Sequence, residues 1–111
     1  MKHTLIALLA FTALPAWADN TVICMDAGNS EEMCTCAAEA LAEEVDARDL
    51  AHYDAISAIF AEQRAEGLGW VDAWDKAVTT VAGEAGVTPS ELQAAMNPVG
   101  QAHRGARAGW G

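Results

Sequence analysis

Three cysteines and two methionines crowd one short stretch, as Cys24-Met25 and Met33-Cys34-Thr35-Cys36. Sulfur at this density supports three chemistries: a structural disulfide, soft-metal binding, and thiol–disulfide exchange. Gly28-Asn29 lies between the two groups and marks a turn. If helices flank that turn, residues equidistant from it face each other, which sets Cys24 opposite Cys34. Cys34 also falls on an apolar stripe, whereas Cys36, two residues on, points about 200° away around a helix. The expected bond is Cys24–Cys34. Cys24–Cys36 stays open as the alternative, because helix ends shift by a residue or two. Closing such a loop stabilises a fold by about 2.5–3 kcal/mol in the chain-entropy treatment. Cys36 is then the odd cysteine, expected as a free thiol or as the link of a homodimer.

The competing readings use the same residues. Thiolate and thioether ligands select Cu(I), so Cys24, Met25, Met33, Cys34 and Cys36 form a candidate copper site. The spacing does not suit tetrahedral zinc. Thiol exchange is favoured by a helix start near Cys34 and opposed by Glu31 and Glu32, and the motif is Cys-x-Cys without a βαβ setting. Other chemistry is thin. The chain has no haem-attachment motif, nucleophile elbow, phosphate loop or His-Glu-x-x-His. His52 beside Asp49 reads as a solvated histidine, and His103 as a cap near a helix end.

The elements that must position these residues begin with a leader. Lys2 and His3 precede an apolar run from Leu5 to Leu14, Pro15 breaks it, and Ala16-Trp17-Ala18 matches a cleavage signal. Residues 1–18 are thus expected to be a cleaved signal peptide, which would deliver an exported, periplasmic or secreted chain where disulfides persist. The apolar run is too short for an anchor, and Cys24 is misplaced for a lipid-modified N-terminus, so neither membrane span nor lipid anchor is expected.

Net charge is −10 at pH 7, and losing Lys2 with the leader makes it one unit more negative. Such a charge disfavours nucleic acid and anionic lipid as partners and favours solubility or a basic partner. The acids concentrate in residues 19–66. Residues 92–111 carry none, but hold His103, Arg104 and Arg107. Residues 101–111 read as a Gly/Arg-containing tail, either free or laid against the acidic helices.

No segment reads as a strand; apolar residues recur at helical spacing throughout. A short helix is expected from about Thr21 to Ala27. A second starts after Asn29 or Ser30, with Asn29 and Glu32 as a capping box and Cys34, Ala37, Ala38, Leu41 and Val45 as its stripe. A third spans about Arg48 to Glu66, with Leu50, Tyr53, Ile56, Ile59, Phe60 and Gln63 on one face. The fourth runs from about Gly69 to Glu84, with Trp70, Trp74, Ala77, Val78, Val81 and Ala85 inward. Thr88, Pro89 and Glu91 open the fifth, whose stripe is Leu92, Ala95, Met96 and Val99, and Pro98 kinks or divides it.

Five amphipathic helices predict an all-α fold, a small bundle of four to five helices over residues 19–100 with one disulfide near the start of the exported chain. Trp70 and Trp74, one turn apart, read as core, with an aromatic partner surface as the alternative, shared with Arg104 and Arg107. The function this supports is a non-enzymatic interaction or accessory role in the cell envelope, with no cofactor. Copper binding through the Cys/Met cluster and a thiol redox role are the alternatives.

Overall fold

A computed structural model describes residues 20–109. The leader expected at 1–18 lies outside the described residues. Five helices follow one another: α1 (Thr21–Asp26), α2 (Glu31–Glu44), α3 (Ala47–Ala65), α4 (Trp70–Ala85) and α5 (Pro89–Ala108). The described residues contain no strand. The fold is an all-α bundle, and none of its described helices is long and apolar enough to cross a membrane.

Local chemistry accounts for the ends of the helices. The chain turns at Gly28, Gly67 and Gly86 with φ of 97°, 102° and 76°, a region that favours glycine because a Cβ would crowd the backbone. Ser30, not Asn29, caps α2: its Oγ accepts from the Met33 amide at 3.1 Å. Asn29 is otherwise engaged, since its Nδ2 donates to the Cys24 carbonyl at 3.0 Å, a second donor beside the Ala27 amide at the end of α1. The capping box expected at Asn29 is therefore not formed. Asp46 caps α3 through the Asp49 amide at 2.9 Å. At α5 the box is complete, with the Thr88 amide donating to Glu91 Oε1 at 2.9 Å and the Glu91 amide to Thr88 Oγ1 at 3.1 Å.

The α5 helix runs unbroken through Pro98. Proline removes the amide that would bond the Ala94 carbonyl, but Pro98 and Ala94 both face solvent, where water can take that place. The consequence is large. Residues 101–108, expected as a tail, form the last turns of α5, and His103 joins Leu92, Met96 and Val99 on its buried face. Ala95, expected on that face, is exposed.

The core gathers Ile23 of α1, Leu41 of α2, Tyr53, Ile56 and Phe60 of α3, the inner face of α4, and Leu92, Met96 and Val99 of α5. On α4 the inward residues are Ala73, Ala77, Val78, Val81 and Ala82. The stripe expected through Trp70, Trp74 and Ala85 is rotated, and Trp70 is 44% exposed. Small alanines let α4 approach the bulky side chains of α3, and the two indoles sit together at the rim. There they meet Phe60 edge-on, with centroids 5.1 Å (Trp70) and 6.4 Å (Trp74) away. Arg64 ties α1 to α3: its Nε donates to Asp26 Oδ2 at 3.1 Å, and its guanidinium also reaches the Leu68 carbonyl at 3.0 Å. Such a half-exposed pair adds at most about 1 kcal/mol.

Candidate functional site

Cys24 and Cys34 are both fully buried and their sulfurs stand at bonding distance, 2.06 Å, with Cα atoms 5.6 Å apart. The bond pins α1 against α2 across the Gly28 turn. Cys36 is exposed and free, on the opposite side of α2 from Cys34, as the helical period requires. The copper reading would need Cys24, Cys34 and Cys36 together as reduced thiolates. A disulfide removes Cys24 and Cys34 as thiolate ligands, and Cys36 points away from both. Among the described residues, no group of three or more His, Cys, Asp or Glu side chains is placed to hold a metal ion. Thiol exchange would need an attacking thiolate to reach a bond whose two cysteines are fully buried.

The concave surface with the richest chemistry lies elsewhere, between α1, α3, α4 and α5. It encloses about 340 Å³, within the range of small-ligand pockets. Its walls bring together Trp70 and Trp74 of α4, Tyr53 of α3, Ile23 of α1, and the α5 residues Gln93, Met96, Asn97, Gly100, Gln101, Arg104 and Arg107. The α5 residues recur at intervals of three and four, so one helical face supplies a full wall. Trp70, Trp74, Arg104 and Arg107, singled out from the sequence as a partner surface, all line this cleft. The 16 acids of the chain contribute none of its described lining residues.

One end is aromatic. The Trp70 and Trp74 rings stack with centroids 5.8 Å apart and planes 13° from parallel. A hydrogen-bond relay fixes the polar edge. Trp74 Nε1 donates to Gln93 Oε1 at 2.7 Å, and Gln93 Nε2 donates to Asn97 Oδ1 at 2.8 Å. An indole nitrogen can only donate, so the direction of the relay is set at its first member and both carboxamides are oriented by it.

Tyr53 belongs to the lining, and His103 holds it from behind, inside the core. The phenol oxygen lies 2.8 Å from His103 Nδ1, the rings meet edge-to-face at 5.5 Å, and His103 is completely buried. Burial pushes the Tyr53 pKa up to about 12, while the charges of Arg107 and Arg104 pull it down. Burial, helped by the Arg107 charge, lowers the His103 pKa to about 4. Both groups are neutral at pH 7. When the phenol donates to Nδ1, the imidazole proton sits on Nε2, which is buried without a partner. No bound molecule could reach this histidine through the packed core, so it is structural rather than a general base.

His52 borders a second depression of about 410 Å³ with Arg48, Asp49, Val87, Glu91 and Leu92. Its charges are mixed, and it holds neither a nucleophile nor a convergent set of donors. Sequence reasoning did not reach the Tyr53–His103 pair. The signal was the spacing of His103 from Met96 and Val99, which counts only once the helix is known to pass Pro98. No protein-family model, curated protein or solved structure matches this chain.

Proposed function

We propose that this chain is a non-enzymatic binding or accessory protein of the cell envelope, exported by its leader and acting through the α3–α4–α5 cleft. One observation carries the reading: Trp70 and Trp74, at the start of α4, and Arg104 and Arg107, near the end of α5, converge on one concave surface. Several groups with catalytic potential are otherwise engaged. His103 is sealed in the core, and Cys24 and Cys34 are bonded to each other. A half-exposed indole beside cationic side chains is the composition of a binding hot spot.

The test is site-specific photocrosslinking in cells that export the protein. A benzophenone side chain placed at Trp70 is expected to capture a discrete species. The same group at Glu39, exposed on α2, is not. Equal capture at both positions, or none at Trp70, removes the reading. Dimerisation through Cys36 belongs to the same proposal. Exported protein is expected at twice its mass without reductant and at single mass with it; a monomer under both conditions discards that part.

A further inference from the structure

The cleft has a directional chemistry: all its charged groups are donors, and Gln101 is the one lining side chain that also leaves an acceptor oxygen open. The Trp74–Gln93–Asn97 relay consumes the acceptor oxygens of both carboxamides and leaves Asn97 Nδ2 with hydrogens to give. Arg104 and Arg107 follow on the same face of α5, and guanidinium groups have no acceptor. Among the described residues neither arginine forms an ion pair; the pair present is Arg64–Asp26. At the other end, the stacked indoles and Met96 offer a flat apolar wall.

We infer that this cleft binds an organic carboxylate carrying a flat apolar body, with the carboxylate at Arg104 and Arg107 and the body against Trp70 and Trp74. The inference rests on the binding role proposed above and names its ligand class. A carboxylate matches the planar fork of arginine, and an aromatic or alkyl body gains from burial beside indole. The volume of about 340 Å³ suits one small molecule or one terminal side chain. Two sources supply the same chemistry: a free acid, or the C-terminal residue of a peptide.

The experiment uses the exported protein and isothermal titration. The probes are 4-phenylbutyrate, its primary amide, and a short peptide ending in phenylalanine, with either a free or an amidated C-terminus. Each carboxylate is expected to bind at least about tenfold more tightly than its amide, since charge-assisted bonds to two arginines are lost in the amide. The Arg104→Gln/Arg107→Gln double variant is expected to erase that preference. Arg104 is exposed and Arg107 half-buried, and glutamine keeps a polar side chain at both, so the fold, checked by circular dichroism, is retained. Gly100→Phe provides a second probe that keeps both charges. A Cβ on Gly100 meets nothing within 4 Å, so the ring enters the cleft and blocks both acid and amide.

Tighter binding of 4-phenylbutyrate than of the peptide assigns the free acid as the source, and the reverse order assigns a peptide terminus. Equal affinity for acid and amide, no saturable binding of either carboxylate at millimolar concentration, or full binding by the double variant overturns the inference. If these titrations fail while Trp70 still captures a discrete species, the ligand class falls and the binding role stands. If both fail, both fall.

Discussion

Protonating His103 is the perturbation whose cost can be worked most directly from this structure. The imidazole has no exposed surface, its Nδ1 faces the Tyr53 phenol at 2.8 Å, and its Nε2 has no partner. Burial in this apolar setting is the main reason its pKa falls from 6.5 to about 4, with Arg107 adding a like charge. In the unfolded chain the ring takes up its proton near pH 6.5, well before the folded protein does. Between these two values the unfolded state binds more protons, so stability falls as pH falls. The contribution is complete above the unfolded pKa and is lost progressively down to the folded one. At 1.36 kcal/mol per pKa unit, the loss between pH 7 and pH 4 is about 3 kcal/mol. That is a large fraction of the 5–15 kcal/mol that is typical of small domains.

The assay is urea unfolding, followed by circular dichroism at both pH values, in the parent and in His103→Gln. Glutamine stays neutral, and its carboxamide oxygen can accept from the Tyr53 phenol. Carboxylates that titrate over the same range are common to both proteins and cancel in the comparison. The parent is expected to lose about 3 kcal/mol more than the variant on acidification. If the two lose the same amount to within about 0.5 kcal/mol, His103 is not a buried neutral group and the reasoning fails.

Three further outcomes are expected from urea or thermal unfolding. Cys24→Ala/Cys34→Ala opens a loop with a sequence separation of 10 and costs about 3 kcal/mol by the chain-entropy relation; a double variant as stable as the parent would contradict this. Thr88→Ala removes the acceptor for the Glu91 amide and costs about 1 kcal/mol, and an unchanged midpoint would show that the box does not hold α5. Gly83→Ala, inside α4 where a Cβ meets nothing within 4 Å, is expected to stabilise the protein by about 0.5–1 kcal/mol. A lower midpoint would mean that α4 is not helical there.

The parts of this fold that could be read in advance rest on neighbours a few residues apart. Thr88 and Glu91 find each other within one turn, and Gly28, Gly67 and Gly86 stop helices because only the local backbone matters there. The Cys24–Cys34 bond belongs with them, since a turn at Gly28 brings the two strips of helix together. The misreadings share a different cause. Asn29 and Ser30 are equally good caps by type, and the choice fell to Ser30 because the Cys24 carbonyl claims Asn29. Pro98 breaks helices by rule, yet here its missing amide faces water, and the burial of Val99 and His103 beyond it holds α5 together.

The sequence by itself therefore determined the fold class, the five helices, most of their boundaries and the disulfide, because capping, periodicity and short loop closure act within about a dozen residues. Tertiary structure alone decided which face of α4 turns inward, how far α5 extends, and hence where the cleft lies. Several faces of α4 are apolar enough to be buried. The competition was settled by shape: alanines take the innermost positions of α4, and the larger indoles pack edge-on against Phe60 at its margin. That rotation puts Trp70 and Trp74 on the rim, and the unbroken α5 carries Arg104 and Arg107 to meet them.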